Sequence, residues 1–247
     1  MSQPENQPSE QRLMEVLEAT WPPAEVQETS GWRLRRGDGG GQRVSAATWT
    51  GDSSPSSEAI DAAEAVMRGW GQRPLFQISE QPEVDATLDA RGYRIGDPTV
   101  LYVAPSEALT GAEQHIAAAY RATFVPATLE GVWDAGGIGA NRRAVMARAS
   151  GPSVYLMSRV GDRPCAGAFL AIDGDIAMIH AIEVMIRYRR NGAARLLMEA
   201  GARFATDHSA RWMALAVTQA NAGARALYEK MGMVEAGSYH YRVHEND

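Results

Sequence analysis

A cluster of arginines stands where an apolar segment gives way to a helix-forming one. Residues 176–184, IAMIHAIEV, are apolar enough to form an inner strand, and the ARLLMEAGARF segment further on has helical spacing. Between them lie Arg187, Arg189 and Arg190, followed by small residues at 191–194. A helix N-terminus leaves backbone N–H groups unpaired and carries partial positive charge. Because glycine and alanine let a ligand approach that backbone closely, the pattern predicts an anion site suited to phosphate or pyrophosphate.

Composition sets wide limits on the rest of the chain. The 247 residues are 45% hydrophobic and 22% charged, which fits one large domain or two small ones. No apolar run is long enough to cross a bilayer, and the acidic N-terminus MSQPENQPSEQ resembles neither a signal nor a transit peptide. We therefore expect a cytoplasmic protein without a membrane partner. The lone Cys165 excludes a disulfide framework and a multi-cysteine zinc site, and no cluster of ligands predicts a metal.

Charge is spread unevenly along the chain. Residues 1–105 carry nine arginines against 16 carboxylates, whereas residues 106–247 carry 15 basic residues against 14 carboxylates. This asymmetry indicates two units. A nucleic-acid-binding surface would require a strongly basic domain, so no nucleic-acid partner is expected.

Apolar spacing and turn residues predict similar elements in both halves. After a disordered tail at 1–10, the first half is predicted to have helices at 11–20, 57–67 and 84–92 and strands at 31–36, 42–49, 74–79 and 99–105, with the GDGGG loop as a hairpin. The second half is predicted to have helices at 112–123, 191–207 and 222–231 and strands at 153–160, 165–173, 176–186, 212–218 and 238–243. Residues 133–143 are predicted to be irregular, and Trp133, Arg142 and Arg143 there could form a lid or pack as an ordinary loop.

Two segments, one in each half, share an order of elements. PLFQISEQPEVDATLDARGY and MALAVTQANAGARALYEKMGM each run from a strand through a polar link into a helix and then a glycine. Aligning the glycines pairs Gly92 with Gly232, Gln81 with Asn221, and Leu88 with Tyr228. This internal repeat predicts two similar α+β units, with a boundary near Pro105.

The arginine turn and the second copy of this repeat together resemble the GNAT superfamily of N-acetyltransferases. The run Arg189-Arg190-Asn191-Gly192-Ala193-Ala194 is similar to the family motif R/Q-x-x-G-x-G/A, with alanine where glycine is commonest. It follows a strand, opens a helix, and precedes a strand and an N-A-x-A-x-x-L-Y-x-x-x-G segment at residues 221–232. The resemblance covers residues 106–247. It implies an α+β fold of two tandem GNAT-like units, each a mixed, mostly antiparallel central sheet flanked by helices.

The resemblance also implies where acetyl-CoA would bind as co-substrate. The residues implied in binding it are Ile182, Glu183, Val184, Arg189, Arg190, Asn191, Gly192, Ala193, Ala194, Arg195, Asn221 and Tyr228. The motif would cradle the pyrophosphate, and the backbone of residues 182–184 would hold the pantetheine arm and polarise the acetyl carbonyl. Tyr228 would protonate or hydrogen-bond the CoA sulfur.

Several of these residues also have a purely structural interpretation. Arg195 could pair with Glu199 at i+4, and Arg187 could simply face solvent. Tyr228 lies on an apolar stripe of its helix and could be a core residue. Asn221 is a favourable helix N-cap, a role that is compatible with contact to CoA.

The general base has three candidates. Alternation along a strand puts His180 on the face of Ile182 and Val184, close to where an amine would arrive. Glu183 would point the other way unless a bulge resets the alternation. His240, in the last strand, is the third candidate. His180 could equally be a buried core histidine, Glu183 could pair with an arginine, and water could serve as the base.

These inferences predict an acyltransferase that moves the acetyl group of acetyl-CoA to a primary amine of a small molecule or peptide, by direct attack in a ternary complex. A non-catalytic CoA- or acyl-CoA-binding regulatory module is the alternative, and a longer acyl donor is a third possibility. The acetyl-CoA-binding domain is assigned to residues 106–247. Residues 11–105 form a degenerate GNAT-like domain without a CoA site, because they lack the arginine motif and have Leu88 in place of a tyrosine. Both a monomer and a homodimer are compatible with this organisation.

Overall fold

The computed structural model describes residues 7–111, 119–161 and 163–244. Within these ranges the helices are α1 (Glu10–Thr20), α2 (Ser57–Gly69), α3 (Pro82–Ala90), α4 (Ala127–Ala135), α5 (Ala140–Met146), α6 (Ala193–Asp207) and α7 (Ala222–Lys230). The strands are β1 (Glu25–Thr29), β2 (Trp32–Arg36), β3 (Thr48–Trp49), β4 (Leu75–Ile78), β5 (Arg94–Pro105), β6 (Ala119–Ala122), β7 (Ser153–Val160), β8 (Arg163–Asp173), β9 (Ile176–Val184), β10 (Trp212–Thr218) and β11 (Val234–Val243). No helix of these ranges is both long and apolar enough to span a membrane.

The strands form two sheets, and the fold is the predicted mixed, mostly antiparallel α+β arrangement. A three-stranded sheet has the order β1-β2-β3, and an eight-stranded sheet has the order β4-β11-β5-β10-β9-β8-β7-β6. Neighbouring strands of the large sheet pair antiparallel, apart from β9 and β10, which are parallel. Parallel strands require a crossover, and α6 provides it between β9 and β10.

The two halves of the chain exchange strands within the large sheet. Strand β5 lies between β10 and β11, and β11 lies between β4 and β5. The antiparallel register joins Arg94 to Val243 at one end and Val103 to Val234 at the other, so the pairing has an approximate two-fold symmetry. The domain boundary at residue 105 stays a prediction, and the sheet is continuous across it.

The internal repeat has a direct structural counterpart. Helices α3 and α7 have nine residues each, and both follow a strand and precede one of the exchanged strands. Gly92 and Gly232 adopt φ of +86° and +87° two residues after their helices, a left-handed conformation that favours glycine at a helix end. Leu88 and Tyr228 are both buried.

Helices cover both faces of the large sheet. On one face, α6 packs Leu197, Ala202 and Ala205 onto apolar residues of β7 to β10. On the other face, α1 packs through Leu13 and neighbouring residues, while α4 packs on β8. The remaining core lies between α2, α3 and the strands of the first half. Strands β8 and β9 are therefore covered by helices on both faces.

The first half departs from prediction around its glycine-rich loop. Strand β1 was not predicted, and it pairs with β2 on the side opposite β3; the antiparallel pairing of β2 with β3 across the glycine-rich loop is as predicted. Residues 42–44 form a single 3₁₀ turn, so only Thr48 and Trp49 of the predicted strand at 42–49 are extended. The cause is long-range packing. A Cβ at Gly40 would lie 2.4 Å from Cγ2 of Val145, because the loop rests on α5.

The second half departs from prediction in two segments. Residues 112–118 of the predicted helix lie outside the described residues, and 119–122 form β6, which pairs with β7. Residues 133–143, predicted to be irregular, belong largely to α4 and α5, separated by Gly136 and Gly137. At the chain start, residues 1–6 are likewise not described. Glu10 already belongs to α1, whose N-cap is Ser9.

Candidate active site

Strands β9 and β10 separate within the sheet. Their parallel pairing joins residues 212–214 to residues 176–178, and β9 then continues to Val184 while β10 continues to Thr218. The last residues of both strands therefore diverge and leave a wedge-shaped opening. Among the described residues no strand pairs with the facing edges of β9 and β10 along this opening, so an extended ligand can approach their backbone there.

A bulge in β9 determines which side chains face each way. His180 pairs with Phe169 of β8, but Glu183 pairs with Gly167, so two residues of β9 face a single residue of β8. Ala181 adopts φ of +51° within this bulge. Trp133 donates a hydrogen bond from Nε1 to the Ala181 carbonyl at 3.0 Å.

The bulge changes the alternation of side chains along β9 from the one that the sequence predicted. Cross-strand partners share a face, so Glu183 lies on the face of His180, whereas Ile182 and Val184 pack into the core that contains α6. The expectation that His180 and Val184 share a face was wrong, because the extra residue shifts the alternation by one. Glu183 is half-buried, and a Cβ at Gly136 would lie 2.4 Å from its Cγ.

The N-terminus of α6 lies where β9 ends. Gly192 has φ of +79°, no side chain of the described residues caps the helix, and a Cβ at Gly192 would meet nothing within 4 Å. Arg190 also adopts a left-handed conformation, with φ of +67°. The Asn191 side-chain amide donates to the carbonyls of Tyr188 and Arg189 at 3.3 and 3.1 Å, which fixes the turn. The turn thus presents open space and backbone N–H groups, as an anion site requires.

The neighbouring arginines have different surroundings. Arg189 donates from Nε to the Val184 carbonyl at 3.0 Å, and its Nη2 lies 3.4 Å from Oε1 of Glu183. Arg195 pairs with Glu199 at 2.8 Å, the i+4 arrangement expected as its alternative. The Arg187 guanidinium lies over the Tyr188 ring at 5.0 Å. The Arg189 side chain thus donates a hydrogen bond to a backbone carbonyl, that of Val184, at the edge of the opening.

Tyr228 is buried beside the opening. It is 5% exposed and belongs to the same core as Ile182 and Val184. Its ring lies 6.0 Å from that of Tyr102, and burial raises the pKa of Tyr228 to about 12. Asn221 caps the helix by accepting a hydrogen bond from the Ala224 backbone at 3.2 Å. The Tyr228 hydroxyl therefore keeps its proton throughout the physiological pH range.

His180 is buried, and both of its ring nitrogens are engaged. Nε2 lies 2.8 Å from Oγ1 of Thr20, and Nδ1 lies 3.2 Å from Nη1 of Arg43. Because a guanidinium only donates, Nδ1 must accept, and Nε2 carries the proton that it donates to Thr20. Burial and, second, the charge of Arg43 hold the pKa of His180 well below its usual value. In this arrangement His180 is neutral and has no free lone pair for an incoming amine.

His240 lies elsewhere. Its Nε2 is 2.8 Å from Oδ1 of Asp85, which also accepts from Nε of Arg242 at 2.6 Å. The hydrogen bond from Arg242 opposes the effect of burial and, with His240, lowers the pKa of Asp85. The geometry thus ties His240 to α3 and not to the opening between β9 and β10.

A cavity of about 310 Å³ meets the opening between the two halves of the chain. Its lining includes Arg43 and Asp97 from the first half and Arg142, Ala181, Thr218 and Tyr241 from the second. A larger cavity, of about 800 Å³, lies against α1 and β2 and has no lining residue from β9 or β10. Of these two cavities, the smaller one therefore adjoins the opening between β9 and β10.

Most lining residues of this cavity were not predicted from the sequence. Asp97, Thr218 and Tyr241 come from three strands that only the exchange of β5 and β11 brings together. Arg142 was predicted either to form part of a lid or to pack as a loop. The sequence signal for Arg43 is limited to its place two residues after the glycine-rich loop and directly before Val44, which the fold buries.

The comparisons with known proteins agree with this geometry. The acetyltransferase (GNAT) family model matches residues 123–233. A GCN5-related N-acetyltransferase from Kribbella flavida superposes with a TM-score of 0.71 at 15% identity, over 95% of both chains. A functionally unknown conserved protein from Staphylococcus epidermidis gives 0.67 at 13% identity, over 90% of this chain and 94% of that one.

A tandem arrangement also occurs among the structural neighbours. A tandem GNAT protein from the clavulanic acid biosynthesis pathway superposes with a TM-score of 0.58 at 12% identity, over 94% of this chain and 86% of that one. No curated protein sequence matches the chain. Residues 123–233 thus match an acetyltransferase (GNAT) domain, and the first half of the chain extends it into a tandem GNAT-like fold.

Proposed function

We propose that the protein transfers the acetyl group of acetyl-CoA to a primary amine of a small molecule or peptide, by direct attack in a ternary complex. The observation that carries this proposal is the opening between β9 and β10, which ends at the uncapped, glycine-led N-terminus of α6. The extended pantetheine arm of acetyl-CoA would fit along the diverging strands. Its pyrophosphate would fit the anion site at the start of α6. When bound, acetyl-CoA supplies an activated acetyl group.

The residues at this opening fit the donor. The backbone from Gly192 to Ala194 would bind the pyrophosphate together with Arg190, because N–H groups and a cation converge there. Arg195 and Asn221 border the same region. The backbone N–H groups of residues 182–184 would orient the pantetheine arm and stabilise the oxyanion. Arg189 must release the Val184 carbonyl if that carbonyl is to accept from the arm.

The proposed acid and the proposed base lie on opposite faces of the sheet at the opening. Tyr228, kept protonated by burial, is suited to give its proton to the departing thiolate. Glu183 lies on the opposite face, towards the cavity, and is suited to take a proton from the amine directly or through water. We assign His180 a positioning role, since both of its nitrogens are bonded to Thr20 and Arg43.

We further propose that residues 106–247 carry the donor site and that residues 11–105 complete the acceptor cavity. Leu88 fills the position equivalent to Tyr228 and is fully buried, so a second acid is not expected there. The supporting observation is the mixed lining of the cavity, to which both halves contribute.

Calorimetric titration of acetyl-CoA tests the donor site. Binding in the micromolar range is expected for the native protein and should be lost in Gly192→Asp, which adds a negative charge to the anion site. Gly71→Asp is the matched control, since Gly71 also has a positive φ of +71° and open space around its Cα. No binding by the native protein would overturn the proposal. Tight binding without transfer to any member of a broad amine panel would instead favour a regulatory CoA-binding module.

A further inference from the structure

Arg43 is half-buried and has no counter-ion among the residues that the structure describes. Its Nη1 contacts Nδ1 of neutral His180, and the hydroxyl groups of Tyr239 and Tyr241 are its other polar neighbours. Its Nε is buried and finds no hydrogen-bond partner within the described part of the chain. Among the residues that the structure describes, no carboxylate forms an ion pair with Arg43. The guanidinium therefore retains both its full charge and unused donor capacity.

Two other arginines, Arg35 on β2 and Arg242 on β11, have their charges compensated by carboxylates. Arg35 contacts Oε2 of Glu18 at 2.6 Å. Arg242 contacts Asp85 and Asp89, each at 2.6 Å. Both arginines are buried, and both have carboxylates as partners. Arg43 is only half-buried and has no such carboxylate among the described residues, so its guanidinium is accessible to an external anion and able to pair with one.

Arg43 lines the cavity into which the acceptor would enter. The same cavity reaches Ala181 in the β9 bulge and Thr218 at the end of β10, the two strands that diverge around the donor. Arg142 at the rim adds a second cation, and Asp97 is the acidic residue of the lining. The cavity thus combines an excess of positive charge with one carboxylate.

We propose that Arg43 binds a carboxylate of the acceptor, so that the substrate is an amine that also carries a carboxylate, such as an amino acid or a small derivative of one. The carboxylate would accept hydrogen bonds from the guanidinium and from the hydroxyl of Tyr241. Charge-assisted hydrogen bonds of this kind are about twice as strong as neutral ones. His180 then serves to hold Arg43 in place. This inference rests on the proposed function, because it assigns the class of acceptor for that site.

Matched pairs of amines test the carboxylate directly. Each L-amino acid is compared with its amide, which keeps the primary amine and replaces the carboxylate with a neutral group. Thiol release from acetyl-CoA gives kcat/KM for both. We expect the acids to be preferred by about tenfold or more, the effect of one charge-assisted hydrogen bond pair. In Arg43→Gln this preference should disappear, because kcat/KM for the acids falls by about tenfold or more and kcat/KM for the amides falls much less.

Three controls separate binding from folding. Arg43→Lys should restore part of the preference, since it restores the charge without the planar fork. Arg73→Gln, which removes an exposed arginine of the same half, should leave the preference unchanged. Unchanged acetyl-CoA affinity in Arg43→Gln verifies its fold. Should that variant not fold, Tyr241→Phe must reduce the preference for acids. Equal activity on acids and amides in the native protein would overturn the proposal.

Failure of the proposed function has a different signature. In that case no amine of either series would release thiol from acetyl-CoA. Calorimetric titration of the same amino acids and amides without acetyl-CoA then tests Arg43 independently. Binding of the acids alone, lost in Arg43→Gln, would support the anion site, whereas no binding of the acids would overturn it.

Discussion

Trp133 of α4 donates a hydrogen bond to the carbonyl oxygen of Ala181 at 3.0 Å, and this contact holds the bulge of β9. The bulge places Ala181 at a positive φ, which is unfavourable for a residue with a side chain. In return it brings Glu183 to the cavity side of the sheet while leaving Ile182 and Val184 on the core side. The opening between β9 and β10 begins at this irregularity.

Trp133→Phe should slow turnover without weakening the donor site. The variant keeps an aromatic ring in the core but loses the hydrogen bond to the bulge, a loss of roughly 0.5–1.5 kcal/mol that corresponds to a decrease in kcat of about 2- to 10-fold. The affinity for acetyl-CoA, measured by calorimetry, should change little. Tyr155→Phe is the control, because Tyr155 packs edge-on against Trp133 and loses only a hydroxyl. An unchanged kcat in Trp133→Phe would show that the bulge holds without the indole.

Tyr228→Phe should separate binding from chemistry. The ring packs as before, so the dissociation constant of acetyl-CoA should be unchanged. Without a proton donor for the thiolate, kcat should fall by about 10²- to 10⁴-fold, the usual contribution of a general acid. Tyr102→Phe is an informative comparison, since the neighbouring Tyr102 hydroxyl instead contacts Glu229 and Glu235. Full turnover in Tyr228→Phe would contradict the assigned role.

The sequence predicts those parts of the site that depend on local spacing. The glycine at position 192, the helix after it and the tyrosine at position 228 lie on short, regular elements whose patterns are complete within a few residues. The equivalence of Gly92 and Gly232 is likewise visible in the chain, because each ends a helix of the same length. Local patterns of this kind do not require knowledge of the sheet order.

The acceptor side depends on contacts that no local pattern encodes. Arg43 reaches His180 across 137 positions of sequence, and its role follows from the packing of the glycine-rich loop on α5. The place of β5 between β10 and β11 cannot be read from its apolar residues, which are compatible with any inner strand. The sequence allowed a bulge in β9 but did not locate it. The residue that hydrogen-bonds to it, Trp133, lies in a segment predicted to be irregular.

His180 should influence stability in acid more than it influences the pH dependence of turnover. Its pKa is lowered in the folded protein, so on acidification the unfolded chain binds a proton at about pH 6.5 while the folded chain does not. Stability from this group is thus complete above pH 6.5 and declines as the pH falls, by at most about 1.4 kcal/mol per pH unit. His180→Asn should lack this contribution between pH 6.5 and 5.

Urea unfolding of the native protein and His180→Asn at several pH values measures this difference. His208→Asn is a suitable control, since His208 is exposed at the end of α6. The two variants should differ in the slope of the unfolding free energy against pH. Parallel slopes for the native protein and His180→Asn would contradict a buried, neutral histidine. A turnover profile controlled by a group with a pKa near 6.5 and abolished in His180→Asn would instead support its role as a base.

The exchange of β5 and β11 predicts that the two halves fold as one unit. Residues 106–247 alone would leave β10 and β11 without the strand that joins them, and residues 1–105 alone would leave β4 and β5 without β11 between them. Each fragment would expose unpaired strand edges and part of the core. We therefore expect a single calorimetric unfolding transition, with equal calorimetric and van't Hoff enthalpies, for the whole chain.

Fragments 1–105 and 106–247 should be insoluble or unfolded separately and should regain acetyl-CoA binding when they are co-expressed. Two separate transitions in the intact protein, or a folded and binding-competent 106–247 fragment, would show that the strand exchange is dispensable.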